Sequence, residues 1–173
     1  SLSMTTNGVL LSRLAKPLAE AGLQRVNLSL DTLDPDKFHT LTRWGSLQDV
    51  WDGIQAAEEA RLLPVKINCV AVRGSNEADM ASLARLTLEH PWQVRFIELM
   101  PFAGATDLQT SQLITAPEMQ ALIEGALGPL EPLNGGALDG EARLYRLPGA
   151  QGDVGFIASV SAPFCSACTR ARL

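Results

Sequence analysis

Cysteine is scarce in this chain of 173 residues, which contains three. So few cysteines, in an odd number, exclude a disulfide framework, and we expect a reducing, cytoplasmic setting. Long apolar runs are also lacking: none approaches the roughly 18 residues that span a membrane. Basic residues are not in excess, because the formal net charge is −5. This charge argues against non-specific nucleic-acid binding, which depends on many Lys and Arg contacts to phosphates.

Strands alternate with helices along most of the chain. Residues 25–30, 65–72 and 93–99 have the composition of strands, and segments with helical periodicity lie between and after them. This alternation predicts a parallel sheet with right-handed helical crossovers. The visible units are too few to close a barrel. We therefore predict an α/β fold that contains a partial (incomplete) βα barrel.

The last part of the chain has a different pattern. The Gly- and Pro-rich stretch 128–140 predicts a loop. Two further strands, 142–147 and 154–160, are expected to form a C-terminal β-hairpin. We therefore divide the chain into a barrel part, residues 1–127, and a C-terminal extension, residues 128–173.

Capping residues mark the expected helix starts. Ser46 with Asp49, and Thr115 with Glu118, fit the capping-box pattern. Asn76 is expected to cap a further helix. Apolar spacing predicts that the helix after Thr115 buries Met119, Leu122, Ile123 and Ala126.

Polar side chains recur on one face of the predicted strands. Asn27 and Ser29 share a face of one strand, Lys66 and Asn68 share a face of the next, and Arg95 opposes apolar neighbours in a third. A parallel sheet covered on both faces would be apolar throughout. Because burying Lys and Arg without partners is costly, we interpret this face as an open interior that holds an anionic ligand. The alternative is the solvated face of an antiparallel sheet.

Three other candidate ligands receive ordinary structural interpretations. Cys69 falls on the apolar side of its strand, which predicts a small core residue. His39 and His90 lie in helical segments without metal-like spacing, and we expect both at the surface or at a helix end.

The C-terminal segment carries the strongest chemical signal. Cys165 and Cys168 are spaced so that one tight turn can direct both thiolates to one metal or cluster. Arg170 and Arg172 follow, and residues two apart in extended backbone point to the same side. Paired guanidinium groups suit phosphate or carboxylate. The cysteine spacing alone leaves open a zinc knuckle, a redox dithiol or half of an iron–sulfur site.

Five stretches, taken in order, resemble the GTP 3′,8-cyclase family of radical S-adenosylmethionine enzymes, which act in molybdenum-cofactor biosynthesis. They are Thr-Thr-Asn-Gly at 5–8, Val-Asn-Leu-Ser-Leu-Asp at 26–31, Val-Lys-Ile-Asn at 65–68, Arg-Phe-Ile-Glu-Leu-Met at 95–100, and the C-terminal segment 164–173. The resemblance covers almost the whole chain. It implies an incomplete βα barrel, two 4Fe-4S clusters, and the conversion of GTP to (8S)-3′,8-cyclo-7,8-dihydroguanosine 5′-triphosphate through a 5′-deoxyadenosyl radical.

The resemblance also implies roles for individual residues. The positions that match GTP contacts or the adjoining basic wall are Thr5, Lys66, Arg95, Arg170 and Arg172. The positions that match S-adenosylmethionine contacts are Ser29 and Met100. Two ligands of the C-terminal cluster match Cys165 and Cys168.

The chain departs from the family pattern in its cluster motifs. It contains no Cys-x3-Cys-x2-Cys motif, and a third C-terminal cluster ligand does not appear. We therefore expect a fragment that is inactive alone. Its expected partners are GTP, S-adenosylmethionine, a second copy of the chain and the next pathway enzyme, cyclic pyranopterin monophosphate synthase, with no nucleic acid and no membrane. The alternatives are a non-catalytic zinc-binding module, a cluster-free barrel enzyme acting on a sugar phosphate, and a different radical S-adenosylmethionine enzyme.

Overall fold

Four parallel strands form the first half of a single sheet in the computed structural model, which describes residues 2–100 and 111–163. The strands are β1 (Ser3–Thr6), β2 (Arg25–Ser29), β3 (Lys66–Ala71) and β4 (Gln93–Glu98). They pair side by side in sequence order. Helices lie between them in the chain, so the predicted α/β fold with a mostly parallel sheet and helical crossovers is confirmed.

Four further strands, two of them with only two residues each, complete the same sheet. They are β5 (Glu131–Pro132), β6 (Leu138–Asp139), β7 (Ala142–Arg146) and β8 (Asp153–Ile157). Strand β8 pairs parallel with β4, whereas β7 pairs antiparallel with β8, β5 and β6. The stretch 128–140, predicted as a loop, therefore contributes two short strands.

Five α-helices are present in the described residues: α1 (Leu11–Glu20), α2 (Pro35–Thr42), α3 (Leu47–Glu59), α4 (Met80–Glu89) and α5 (Ala116–Leu127). The capping boxes at the starts of α3 and α5 are confirmed. No helix in the described ranges is long and apolar enough to cross a membrane.

Two local predictions are wrong because side chains bind across the fold instead of locally. Asn76 does not cap a helix. Its amide accepts a hydrogen bond from Val72 N and donates to the carbonyl oxygens of Asp31 and Val70. Strand β8 stops at Ile157 instead of continuing to Val160. The backbone N–H of Val160 donates to a carboxylate from β4, so it is not available to a strand ladder.

The hydrophobic core lies on the apolar side of the parallel strands. Val26, Leu28, Ile67, Val94 and Phe96 are fully buried there. Cys69 is also buried in this core, as predicted, and burial raises the pKa of its thiol well above the ordinary value. On α5, Met119 and Ile123 are buried, but Leu122 is 48% exposed and Ala126 is exposed. The buried face of α5 is therefore narrower than the apolar spacing predicted.

Candidate functional site: a basic recess on the polar face of the sheet

Arg95 is the central residue of the polar face, and its side chain is buried. Its Nε donates to Asn68 Oδ1 at 2.8 Å, its Nη2 to Asn27 Oδ1 at 3.4 Å, and its Nη1 to Glu141 Oε1 at 3.4 Å. Gly155 is its neighbour on β8, where a Cβ atom would lie 3.0 Å from Arg95 Cγ. The missing side chain therefore leaves room for the arginine stem.

Lys66 lies beside this arginine but is weakly compensated. Its carboxylate partner is Asp139, whose Oδ2 lies 4.0 Å from Lys66 Nζ. Burial lowers the pKa of Lys66, and the positive charges of Arg95 and Arg25 lower it further, while Asp139 and Glu141 oppose the change. A cation that is partly desolvated and faces two other cations gains stability from a bound anion.

These groups line a recess of about 130 Å³ at the amino ends of the parallel strands. Its lining residues are Ser3, Arg25, Asn27, Lys66, Arg95, Asp139, Gly140 and Glu141. Three are cations and two are carboxylates. Sequence reasoning missed Arg25, although Arg25 and Asn27 are two apart in a strand and hence on the same face. Drug-sized ligands occupy pockets of about 300–1,000 Å³, so this recess suits an anionic part of a ligand.

The structure brings Thr5 into the same polar network. Strand pairing places Thr5 beside Asn27, and Asn27 Nδ2 lies 3.5 Å from Thr5 Oγ1. Thr5, Lys66 and Arg95, which were predicted together, therefore lie on one face of neighbouring strands. Thr5 itself is exposed.

Ser29 and Met100 lie at the other end of the strands. Ser29 is the last residue of β2, and Met100 follows β4 by two residues. Both are exposed. They belong to the carboxyl edge of the sheet, which is where open parallel sheets bind ligands. The predicted S-adenosylmethionine positions are thus separated from the basic recess along the strand direction.

Four predicted site residues, Cys165, Cys168, Arg170 and Arg172, lie outside the described residues. Within the described part of the chain, no group of three His, Cys, Asp or Glu side chains could hold a metal ion. His39 is exposed on α2, and His90 follows α4, where its ring stacks on Trp92 at 3.9 Å.

Glu98, at the end of β4, is a buried charge that sequence reasoning passed over. Its carboxylate accepts hydrogen bonds from Ala116 N at 2.8 Å, Val160 N at 2.7 Å, Ser161 N at 2.8 Å and the Ser161 hydroxyl. Burial raises the pKa of Glu98, but these hydrogen bonds outweigh that effect and lower it overall. Nothing local in the sequence signals this arrangement, because all the donors come from distant segments.

A larger cavity, of about 400 Å³, shares Glu141 with the recess but is otherwise lined by different residues. It is bounded by the start of α5, by Arg143, Tyr145 and Phe156, and by residues 161–163. Strand pairing places Phe156 beside Arg143 and Gly155 beside Leu144, so Phe156 and Arg143 lie on the face opposite Arg95. The larger cavity is not lined by Arg25, Lys66 or Arg95, and we therefore assign the candidate anion site to the smaller recess.

Comparison with known proteins connects this geometry to a family. Residues 1–87 match the family model of the Radical SAM superfamily, and residues 92–173 match that of Molybdenum Cofactor Synthesis C. Proteins named GTP 3′,8-cyclase are similar over 99% of this chain. Those of Pelotomaculum thermopropionicum and Moorella thermoacetica are 47% identical to it, and that of Geobacter sulfurreducens is 46% identical.

The chain spans about half the length of the curated relatives that it matches, with 52–53% of these three covered. The matching regions nevertheless include every strand of the sheet and the basic recess. The chain belongs to the radical SAM superfamily. Its second half is similar to the Molybdenum Cofactor Synthesis C family.

Proposed function

We propose that this chain is part of a GTP 3′,8-cyclase, which converts GTP to (8S)-3′,8-cyclo-7,8-dihydroguanosine 5′-triphosphate in molybdenum-cofactor biosynthesis. The observation that carries the proposal is the recess where Lys66, Arg95 and Arg25 converge on a chain of net charge −5. Such a local excess of cations supports recognition of a strongly anionic group. The names of the relatives support GTP as that ligand.

The phosphate chain of GTP is assigned to the recess. Lys66 supplies a compact charge, and Arg95 supplies a guanidinium group held in place by Asn68 and Asn27. Because these amides fix the orientation of Arg95, its donors are preorganised for a phosphate oxygen. Thr5 adds a hydroxyl on the same face. Arg170 and Arg172 are assigned to GTP from their sequence positions alone.

S-adenosylmethionine is assigned to the carboxyl edge of the sheet, at Ser29 and Met100. The separation of the two ends supports this division, because it lets one sheet hold two ligands whose reacting groups meet between them. When bound, S-adenosylmethionine and its 4Fe-4S cluster supply the radical that starts the reaction on the ribose. The chain's own residues bind and orient the two molecules.

The thiolates of Cys165 and Cys168 are assigned to a second 4Fe-4S cluster. Their donor chemistry fits, since Cys thiolates hold such clusters, but two thiolates leave the ligand set incomplete. The 173 residues also lack the Cys-x3-Cys-x2-Cys motif for the first cluster. The chain alone is therefore expected not to turn over GTP.

Other expectations remain proposals. They are the incomplete barrel with its C-terminal hairpin, the division at residues 127 and 128, a homodimer, contact with cyclic pyranopterin monophosphate synthase, and a cytoplasmic location. Strand β1 supports self-association, because it is paired only with β2 and forms an edge of the described sheet.

The decisive experiment measures GTP binding by calorimetry in the full-length protein. Arg170→Ala with Arg172→Ala, and separately Lys66→Met, should each weaken binding by about tenfold or more, because each removes a charge-assisted hydrogen bond to phosphate. Lys37→Met is the control, because Lys37 forms a surface ion pair with Asp79. Unchanged binding in both test variants would refute the assignment of the GTP phosphates to these residues, and no GTP binding by the unaltered protein would refute GTP as the ligand.

A further inference from the structure

Glu98 joins three segments that are far apart in the sequence. Glu98 is the last residue of β4. Its carboxylate accepts hydrogen bonds from backbone N–H groups in the first turn of α5 and in the turn that follows β8. Its backbone carbonyl oxygen also accepts a hydrogen bond from the Ser159 hydroxyl at 3.1 Å. The partners at residues 160 and 161 lie 62 and 63 positions further along the chain.

The compensation of this buried charge uses backbone donors and hydroxyl groups. The Glu98 carboxylate accepts hydrogen bonds from three backbone N–H groups and from the Ser161 hydroxyl. Ala116 is the first residue of α5, so its N–H also carries the positive end of the helix dipole. A carboxylate held by backbone N–H groups fixes the path of the backbone more directly than one paired with a flexible lysine, because the donors belong to the main chain.

The held turn leads directly into the cysteine segment. Ser161 precedes Cys165 by four residues in the sequence. We infer that Glu98 is a positioning residue: it fixes the point at which the chain leaves β8 and thereby sets where the cysteine segment begins. The part of this inference that concerns a cluster depends on the proposed function, whereas the restraint of residues 160 and 161 does not.

The matched control for this inference is Glu118. Like Glu98, it is a carboxylate that accepts hydrogen bonds at the start of α5, from Thr115 N at 2.8 Å and the Thr115 hydroxyl at 2.7 Å. Glu118 also accepts a hydrogen bond from Arg73, and these donors all lie outside the turn after β8. Glu98→Gln and Glu118→Gln therefore make the same chemical change at one helix end, with only the first touching residues 160 and 161.

The first measurement is amide hydrogen exchange of residues 156–163 in this chain. Glu98→Gln should speed exchange at Val160 and Ser161 by about tenfold or more, because a hydrogen bond to a charged group contributes roughly 1.5–3 kcal/mol. Glu118→Gln should leave those two amides unchanged. Unaltered exchange in Glu98→Gln, or equal acceleration in both variants, would overturn the inference. Ser161→Ala provides a milder test with a smaller expected increase, should Glu98→Gln fail to fold.

The second measurement is the rate at which a chelator removes iron from the reconstituted full-length protein. Glu98→Gln should release iron faster than Glu118→Gln, and Cys165→Ala with Cys168→Ala should lower the iron content. Faster amide exchange with unchanged iron release would overturn the role in placing the cluster segment. Unchanged iron content in the double cysteine variant would instead refute the cluster assignment. The amide-exchange result would still show whether Glu98 restrains residues 160 and 161.

Discussion

Strand β4 buries two charges of opposite sign, and they are compensated in different ways. Arg95 is 4% exposed and Glu98 is 1% exposed. Arg95 is held by side chains, namely two asparagine amides and the carboxylate of Glu141. Glu98 is held mainly by backbone N–H groups of α5 and of the turn after β8. The carboxylate of Glu141 can rotate away to admit a ligand, whereas the backbone groups around Glu98 are fixed by the fold.

This contrast separates a binding role from a structural one. Around Arg95, carboxylates at Asp139 and Glu141 lie close to Lys66 and Arg95 at distances of 3.4–4.0 Å. A phosphate can replace such partners without unfolding the sheet. Around Glu98 such an exchange is hindered, because three of its carboxylate's partners are main-chain N–H groups. Substitutions at the two positions should therefore affect different measured quantities.

Of the substitutions considered, Glu98→Ala should have the largest effect, which is a loss of folding stability. It leaves several buried donors without an acceptor, and we expect the free energy of unfolding to fall by about 3 kcal/mol. Urea denaturation monitored by circular dichroism measures this. Glu118→Ala, at the exposed side of the same helix end, should cost clearly less, and equal losses in the two variants would contradict the distinction.

Arg95→Met should affect ligand binding more than it affects folding. Removing the guanidinium group should weaken binding of tripolyphosphate by roughly 30-fold, since charge-assisted hydrogen bonds contribute about 2 kcal/mol. Calorimetry on this chain measures the affinity. Arg146→Met removes an arginine whose ion pair with Asp153 is partly exposed, and it should leave affinity unchanged.

Lys66→Met tests whether a weakly compensated cation is retained for binding. Burial and the neighbouring arginines lower the pKa of Lys66, so its charged form is less favourable in the recess than it is in water. We expect tripolyphosphate affinity to fall by about tenfold while the thermal midpoint stays equal or rises. A lower midpoint in Lys66→Met than in Lys37→Met would show that Lys66 contributes mainly to folding.

Asp139→Asn should have a smaller effect, of opposite sign. Asp139 is half exposed and its oxygen is 4.0 Å from Lys66, so its attraction is weak and easily screened. Removing it should strengthen tripolyphosphate binding by about threefold at low salt, and the gain should shrink as salt is added. Weaker binding would show that Asp139 organises the recess instead of competing for it.

Acid should weaken both carboxylate sites, because the pKa of each carboxyl group is lowered in the folded state. A lowered pKa stabilises the folded state above the unfolded value of 4.5, and this contribution is lost as pH falls through the folded value, which is about 2 for Glu118. Because the side chain of Glu118 is 49% exposed, Glu118→Gln should remove only a small part of the acid dependence of the thermal midpoint. Glu98→Gln should remove more, and the reverse order would contradict the burial argument.

The strand pattern was predictable because its period is local. Alternation of apolar and polar residues placed Asn27, Lys66, Asn68 and Arg95 on one side. The pairing of Asn27 with Lys66 and the hydrogen bonds from Arg95 to Asn68 and Asn27 confirm this assignment. The capping boxes were predictable for the same reason. The prediction that β8 extends to Val160 is wrong. The Val160 N–H donates to the Glu98 carboxylate, and the apolar composition of the segment gives no sign of this hydrogen bond.

The α/β fold with its parallel sheet, the polar face of that sheet and the family could all be read from the amino-acid sequence, because they depend on periodicity and on the order of short motifs. The partners of the buried charges became known from the three-dimensional arrangement of the chain. Arg95 and Glu141 are 46 residues apart, and Glu98 meets Ala116 and Val160 at separations of 18 and 62 residues. Such pairings depend on strand order and on where helices begin in space, and no local pattern encodes them.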